Sequence, residues 1–464
     1  MWSCFRLTVL LLLAAGAAAA QTVSPSGSTP AVAASQPSIA ASGVHVSYYQ
    51  FTLPNGLHVI LHQDRSVPIV AVNVWYHVGS ANEHPGRTGF AHLFEHLMFM
   101  GSKDVKQGEF DILLESAGGR NNGSTENDRT NYIIDVPSNA LDLALYLESD
   151  RMGYLVDAMS PQTVDAQRDV VKNERRQSYE NRPYGVAELA LSEMLYPDGH
   201  PYHWPTIGYM EDLTAASYQD VVEFFKKYYA PNNASLVVGG DIDIEKTRAL
   251  VEKWFGEIPR GEFVPPIAPP AAYLTEVKRR TIPDRVQLPR LYLAWLTPAH
   301  YQPGDAPMDL VSAVLSGGKN SRLYKRLVYD LQIAQDVEAF QDSGGLGSTF
   351  AIVATARPGH TLEEIQKVID EELDRLRQAP PEPRELERAV NQIEASFYRQ
   401  MERVGGFSGK ANQLNAYYTV TGMPDYFTAD LARYRALSAT DIQAALQRYL
   451  PPDRRVELSV VPQK

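Results

Sequence analysis

Apolar and polar residues alternate in several short runs of the first half of the chain. The stretch "YYQFTLPNGLHVILHQD" has two such runs around Pro54-Asn55-Gly56, which predicts a β-hairpin. The stretch "IVAVNVWYHVGS" is rich in β-branched and aromatic residues and predicts a strand. "TNYIIDVP" predicts a strand that stops at Pro137, and "ASLVVGGDID" predicts another.

Between these strands the apolar residues recur at helical spacing. The stretch "TGFAHLFEHLMFMGS" has the length and spacing of a helix that ends near Gly101. "ALDLALYLESDRM" predicts a second helix. Ser160-Pro161 begins a third, which runs to about Glu180, because proline is tolerated in the first helical turn. The pattern is therefore that of an α+β protein.

A Pro-rich stretch, "VPPIAPPAAY", separates two parts of the chain that follow similar patterns. After it come a strand "RLYLAWLTPA", a helix "PMDLVSAVLSGG" and a strand "STFAIVATARP", followed by further helices. At 464 residues the chain is too long for one ordinary core, so we predict two similar α+β domains. The predicted segments are a leader over 1–20, a disordered linker over 21–44, a domain over 45–258, a Pro-rich linker over 259–284 and a domain over 285–464.

The first twenty residues have the composition of a cleaved secretory signal. Arg6 supplies the positive charge, Leu7 to Leu13 the apolar core, and Ala18-Ala19-Ala20 the cleavage site. The single cysteine, Cys4, lies inside this signal, so the mature chain is expected to have no disulfide and no thiol nucleophile. No other apolar run approaches the length of a membrane span. We expect a periplasmic or secreted protein without a membrane span in the mature chain.

Composition narrows the possible partners. With 44% hydrophobic and 21% charged residues the chain is typical of globular proteins. Forty-three basic and fifty-five acidic residues give a formal charge of -12, which argues against a nucleic-acid partner.

His92, Glu95 and His96 stand inside the apolar helix around "HLFEH". On a helix the two histidines lie about 40° apart and Glu95 about 60° to the other side of His92, so all three share a face. Two imidazoles one turn apart can bind one Zn²⁺ and leave room for a third ligand and a water. Glu95 would then face that water as a general base. The order is the inverted form of the His-Glu-x-x-His zinc-protease motif.

The alternative interpretation is three polar residues of a buried helix that are satisfied by backbone groups. A random match to this motif has a chance of roughly one or two in a hundred in a chain with eleven histidines. Three desolvated polar groups on an apolar helix also need strong compensation, which a metal provides.

The motif resembles that of the insulinase/pitrilysin family of zinc metallopeptidases. The resemblance extends beyond the motif to several stretches that match the family in their order and spacing. These are "LPNGLHVILHQD", "VWYHVGSANE", "GRTGFAHLFEHLMFMGS", "NGSTENDRTNYIIDVP", "HPYHWPTIGYMEDL" and "YYAPNNASLVVGGDID". It implies the fold of the mitochondrial processing peptidase, two homologous mixed α/β domains that are each a mostly antiparallel sheet packed with helices. The first domain would bind zinc and the second would be metal-free.

The resemblance also implies further site residues. The third zinc ligand of the family is a downstream glutamate, which Glu174 matches in "VDAQRDVVKNERRQSYENRP". Seven positions earlier the family usually has another glutamate, whereas this chain has Gln167, which could act only as an uncharged hydrogen-bonding group near the ligands. The "NGSTENDRTNY" segment resembles the strand that binds substrate as an added β-strand, with Asn122, Gly123 and Tyr132 at its recurrent positions. The alternative for this segment is a turn-rich loop that leads into a core strand.

The second half departs from the family pattern. Family enzymes often have an arginine and a tyrosine there that grip the substrate, and the matching positions are Val328 and Gln335. Arg322 and Arg326 lie nearby and are interpreted as solvated helix charges. We therefore hypothesise a zinc metalloendopeptidase with one zinc ion and peptide substrates, working as the zinc-bearing subunit of a heterodimer with a metal-free homologous subunit, or as a homodimer. The alternatives are a non-catalytic structural member of the family and a peptide-binding protein for uptake.

Overall fold

A computed structural model describes residues 43–463, which form two compact units. The amino-terminal unit comprises the described residues up to Ala271 together with Ala395–Ala429. The carboxy-terminal unit comprises Ala272–Glu394 and the residues from Asp430 onward. The predicted leader and residues 21–42 of the predicted linker lie outside the described residues. Within 43–463, no helix has the length and apolar character needed to cross a bilayer.

The helices and strands follow one another in a mixed order. From the amino-terminal side they are β1 (Tyr49–Thr52), β2 (His58–Gln63), β3 (Ile69–Tyr76), α1 (Phe90–Leu97), α2 (Glu109–Ser116), β4 (Arg120–Thr125), β5 (Thr130–Pro137), α3 (Leu141–Ala158), α4 (Pro161–Arg175), α5 (Val186–Leu195), α6 (Met210–Ala215), α7 (Tyr218–Tyr228), β6 (Ala234–Gly240) and α8 (Ile244–Phe255). They continue with β7 (Lys278–Asp284), β8 (Arg290–Thr297), α9 (Asp305–Ser316), β9 (Ala334–Asp342), β10 (Ser348–Ala356), α10 (Leu362–Gln378), α11 (Pro383–Met401), α12 (Lys410–Thr421), α13 (Phe427–Arg435), α14 (Ala439–Tyr449) and β11 (Val456–Pro462).

A six-stranded sheet organises the amino-terminal unit in the order β1-β2-β6-β3-β5-β4. All its strand pairs are antiparallel except β2 with β6, which is parallel. The inner strands β3 and β6 are almost entirely buried, in keeping with their runs of valine, isoleucine and leucine. Strand β4 is at one edge of the sheet and pairs only with β5, so its other side can accept a further strand.

Helix α12 brings a later part of the chain back to this sheet. Asn412 lies on α12, and its Oδ1 accepts hydrogen bonds from Trp75 Nε1 at 2.8 Å, Asn131 Nδ2 at 2.8 Å and Asn73 Nδ2 at 3.2 Å. Its own Nδ2 donates to the Phe407 carbonyl at 2.7 Å. Because every polar group of this buried side chain is satisfied, the contact fixes the position of α12 on the sheet.

The carboxy-terminal unit repeats the same plan with a five-stranded sheet in the order β7-β11-β8-β10-β9. Only β7 with β11 is parallel. In both units a central strand is followed by a glycine with positive φ and a helix, Gly89 before α1 and Gly304 before α9. The prediction of two similar mixed α/β units, each with a mostly antiparallel sheet, is confirmed.

Most predicted elements are present, including the β1–β2 hairpin and the helix that begins at Pro161. The predicted domain boundaries differ from the structure in two respects. The last seven residues of the predicted linker over 259–284 form β7, because Lys278–Asp284 pair in parallel with β11. Residues 395–429, predicted within the second domain, belong to the amino-terminal unit, because α12 packs on its sheet.

Candidate metal centre

Helix α1 presents its polar residues on the face away from the core. Its apolar residues are buried, namely Phe90, Ala91, Leu93, Phe94 and Leu97. His92, Glu95 and His96 are only partly buried on the opposite side. The amphipathic spacing of this eight-residue helix therefore places the three predicted site residues together.

Helix α4 packs against α1 and brings Glu174 to the two histidines. Glu174 Oε2 lies 3.2 Å from His96 Nε2, and Glu174 Oε1 lies 3.8 Å from His92 Nε2. One potential ligand atom from each of the three side chains lies within 4.8 Å of the others. Two imidazole nitrogens and one carboxylate oxygen are a donor set suited to a hydrolytic zinc ion, since they leave a coordination position for water. The residues present therefore fit the metal that their motif implies.

The protonation states at this cluster also suit metal binding. Burial lowers the pKa of His92, which favours the neutral imidazole that a metal requires. Burial raises the pKa of Glu174, but the hydrogen bond from His96 and the proximity of both histidines outweigh it, so this pKa is lowered overall. Glu174 is thus held as a carboxylate.

Glu95 faces the edge strand of the sheet. Its Oε2 accepts a hydrogen bond from Thr125 Oγ1 at 2.7 Å, and Thr125 is the last residue of β4. A Cβ atom at Gly123, also on β4, would lie 3.1 Å from Glu95 Cγ. The predicted base therefore sits directly beside the strand that is open on its outer side.

The three predicted substrate-binding residues occupy different positions around that strand. Asn122 is exposed on β4, and its Oδ1 accepts from the Gly123 N–H at 2.9 Å. Gly123 is opposite Tyr132 in the β4–β5 register. Tyr132 is fully buried, and its hydroxyl lies 3.4 Å from the Phe94 carbonyl. Tyr132 can therefore influence a peptide on β4 only through the backbone and Gly123.

Gln167 lies on α4 and contacts Met100, a residue that follows α1. Its Nε2 atom is 2.9 Å from Met100 Sδ. Within the described residues it makes no hydrogen bond to His92, His96 or Glu174, and its role near the ligands stays a prediction.

Sequence reasoning missed two residues of this centre, Thr125 and Glu83. Glu83 is buried, and its carboxylate accepts hydrogen bonds from the Gly89 and Ala91 N–H groups at the start of α1. Burial raises the pKa of Glu83, while these hydrogen bonds oppose the rise. One signal for Glu83 is present in the sequence, namely its position in "VGSANE", a stretch that resembles the family. Neither Glu83 nor Thr125 follows a periodic pattern of apolar and polar residues.

The carboxy-terminal unit has no counterpart of the cluster among its described residues. Val328 is buried in a π-helical segment, Tyr324–Asp330, and Gln335 is exposed on β9. Arg322 forms hydrogen bonds of 2.7 and 2.6 Å with Glu385. Arg326 pairs with Glu371 and Glu372. Both arginines are therefore only partly exposed and held in ion pairs, whereas the sequence predicted solvated helix charges.

The fold and this cluster together define a protein class, and comparisons with known proteins place the chain in it. The chain belongs to the insulinase family of peptidases, family M16. The family profile described as Insulinase (Peptidase family M16) matches residues 58–201. A second profile, described as Peptidase M16 inactive domain, matches residues 215–393.

Individual relatives agree with this membership. The zinc protease PqqE of Helicobacter pylori is 32% identical over 387 residues, which cover 81% of this chain and 85% of that protein. The crystal structure of a protease from Helicobacter pylori aligns with a TM-score of 0.82 at 28% identity, over 90% of this chain and 100% of that one. The first half of the periplasmic protease PqqL from Escherichia coli shares the fold, with a TM-score of 0.73 at 18% identity over 90% of this chain and 93% of that one.

Proposed function

We propose that this chain is a zinc-dependent endopeptidase that cleaves extended peptides or unfolded polypeptides. The observation that carries the proposal is the convergence of His92, His96 and Glu174 beside Glu95 and the open edge of β4. The name of the Helicobacter pylori relative, a zinc protease, supports zinc as the metal and proteolysis as the reaction.

His92, His96 and Glu174 would hold the metal. Zinc bound there would supply Lewis acidity toward a water molecule and the scissile carbonyl. Glu95 takes a proton from the attacking water and passes it to the leaving amine, as a carboxylate base can when it is fixed beside the reacting atoms. Thr125 orients Glu95 through its hydroxyl group.

The edge strand β4 would bind the substrate by adding it to the sheet. Backbone N–H and C=O groups on its open edge would pair with an extended peptide, which gives binding that tolerates many sequences. Gly123 has no side chain, so the peptide backbone can approach Glu95 closely. This arrangement favours unfolded substrates, because a folded protein rarely presents a free extended strand.

The chain would act as the zinc-bearing subunit of a heterodimer. Val328 and Gln335 occupy the positions where family enzymes carry a substrate-gripping arginine and tyrosine. Neither side chain can replace a guanidinium or a phenol. A metal-free homologous subunit would supply the missing pair, as in two-subunit members of the family.

The location would be the periplasm or the exterior of the cell. The proposal rests on the signal-like sequence of residues 1–20. The Escherichia coli structure with the same fold is described as a periplasmic protease, which is consistent with this location.

The proposed function is tested by measuring hydrolysis of an internally quenched, unstructured peptide by the purified protein, alone and with the partner that co-purifies from the native host. We expect cleavage that a chelator abolishes and added zinc restores. Full turnover by the chain alone would contradict the heterodimer but support the peptidase. Tight peptide binding without cleavage in both preparations would instead favour the peptide-uptake alternative, and no binding would favour the structural one.

A further inference from the structure

A buried carboxylate closes the amino-terminal end of the helix that carries the metal-binding histidines. Glu83 is only 3% exposed. Its Oε2 accepts from the Gly89 N–H at 2.9 Å, and its Oε1 accepts from the Ala91 N–H at 2.8 Å. Both oxygens therefore bind backbone groups at the first turn of α1.

Helix α1 has no cap of its own. The residue before it, Gly89, has φ +85° and no side chain that could accept a hydrogen bond from the first turn. The first N–H groups of a helix have no partner within the helix and need an external acceptor when they are buried. An eight-residue helix is also too short to be stable by itself. His92 is the third residue of α1, so the direction of this first turn sets the direction of its imidazole.

The turn that carries Glu83 is fixed on its other side to the β4–β5 hairpin. The Ser80 N–H donates to the Glu126 carbonyl at 3.2 Å, and the Ala81 N–H donates to the Asn127 carbonyl at 2.8 Å. Gly79 is packed so tightly there that a Cβ atom would lie 2.2 Å from the Glu126 oxygen. Glu83 thus stands between the helix that holds the metal ligands and the hairpin that contains β4.

We propose that Glu83 is a positioning residue that holds the first turn of α1, and with it His92 and His96, in place against the β4–β5 hairpin. It acts through backbone N–H groups and touches neither metal nor substrate. The zinc-binding part of the proposed function is the only part on which this inference rests.

A second anchor holds the same end of α1, so loss of Glu83 need not unfold the helix. Asp212 accepts hydrogen bonds from the Thr88 N–H at 3.1 Å and from the Thr88 hydroxyl at 2.7 Å. The Thr88 oxygen in turn accepts from the Tyr209 N–H at 2.8 Å. A variant of Glu83 should therefore remain folded with a less constrained first turn.

The test compares zinc affinities of Glu83→Gln and a matched control, measured by competition with a chromophoric chelator in the absence of substrate. An amide offers one acceptor oxygen and would turn a donor toward the second backbone N–H. We expect Glu83→Gln to bind zinc about 10- to 100-fold more weakly than wild type, the range typical for loss of a group that supports metal ligands. The control is Asp243→Ala, because Asp243 caps α8 by accepting from the Lys246 N–H at 3.0 Å, alanine cannot cap, and α8 carries no site residue. It should lower the melting temperature without weakening zinc binding.

Glu83→Asp provides a second variant. It keeps both carboxylate oxygens but places them one methylene further from the helix. We expect its zinc affinity to lie between those of Glu83→Gln and wild type. Wild-type zinc affinity in either folded Glu83 variant overturns the inference. If the wild-type protein binds zinc but cleaves no peptide, the proposed function is contradicted. The zinc affinities of the variants still test the role of Glu83 in that case. A wild-type protein that binds no zinc overturns both.

Discussion

The hydroxyl group of Thr125 is the one side-chain hydrogen-bond donor to Glu95 among the described residues. A carboxylate on a helix has several rotamers, and a base must point at the reacting water to be effective. The 2.7 Å hydrogen bond selects one of these rotamers. The strand that would receive the substrate therefore also orients the base.

Replacing Thr125 by valine keeps the shape of the side chain and removes the hydrogen bond. We expect kcat for peptide hydrolysis to fall roughly 10- to 100-fold, with KM and zinc content unchanged, because only the orientation of Glu95 is affected. Steady-state kinetics and metal analysis provide the check. Thr125→Ser is the matched control and should restore most of the rate. An unchanged kcat for Thr125→Val would show that Glu95 needs no such orientation.

Residues of the site differ in how far the sequence alone predicts them. His92, Glu95 and His96 follow from the helical period, since their spacing fixes a shared face. Glu174 is far along the chain, and only the family resemblance predicted it. Glu83 acts through two hydrogen bonds to backbone groups six and eight residues further along the chain, which leave no periodic pattern in the sequence.

At the scale of elements, the site depends on the close approach of α1 and β4. Gly123 permits that approach, because a Cβ there would lie 3.1 Å from Glu95 Cγ and 3.2 Å from the Tyr132 ring. Gly123 has no positive φ, so its role is to leave space and not to permit an unusual backbone.

Gly123→Ala should therefore displace Glu95 without unfolding the sheet. We expect kcat/KM to fall about 100-fold, the effect typical of misplacing a catalytic group by about an ångström. Gly239→Ala on β6 is the control, because its nearest neighbours lie 3.5 Å from the added atom. Equal activity of the two variants would contradict the close packing of α1 against β4.

Among the helices and strands, α12 is the one whose position in the fold is hardest to predict from the sequence. Its return to the first sheet depends on three hydrogen bonds that Asn412 accepts from Asn73, Trp75 and Asn131, which are all distant in sequence. Apolar periodicity reports which residues are buried and not which sheet buries them. For this reason the sequence pattern predicts a single continuous domain over 285–464.

Asn412→Leu should destabilise the amino-terminal unit. It leaves the donors of Trp75, Asn131 and Asn73 without an acceptor, and each buried donor of this kind costs about 1–3 kcal/mol. Urea denaturation followed by tryptophan fluorescence should show a free energy of unfolding lower by at least about 2 kcal/mol. Val420→Ala, on the exposed part of α12, should change it little. A wild-type denaturation midpoint for Asn412→Leu would mean that these hydrogen bonds do not hold α12.

At the scale of the whole molecule, two units share one strand plan, and among the described residues the candidate metal cluster lies in the amino-terminal one. The helices α1 and α9 follow equivalent strands, yet α9 reads "DAPMDLVSAVLS" and contains no histidine. The shared plan was predictable from the repeated order of strands and helices. That the second unit is metal-free stays a prediction from its residues.

Zinc should therefore stabilise the protein through one site per chain. At free zinc of 100 times Kd, we expect the free energy of unfolding to rise by about 2.7 kcal/mol, because the metal binds the folded state alone. Thermal unfolding with and without zinc measures this change. His96→Ala should show no zinc-dependent change. A similar rise in His96→Ala would reveal a binding site other than the proposed one.

Glu95 would act as the base beside a zinc ion held by three neighbouring residues. The most direct measurement is zinc content together with peptide hydrolysis in Glu95→Gln, compared with Glu115→Gln, which changes an exposed glutamate on α2. We expect one zinc per chain in both variants, near wild-type hydrolysis in Glu115→Gln, and a rate at least about 100-fold lower in Glu95→Gln. Wild-type hydrolysis by zinc-loaded Glu95→Gln would contradict the role of Glu95 as the base.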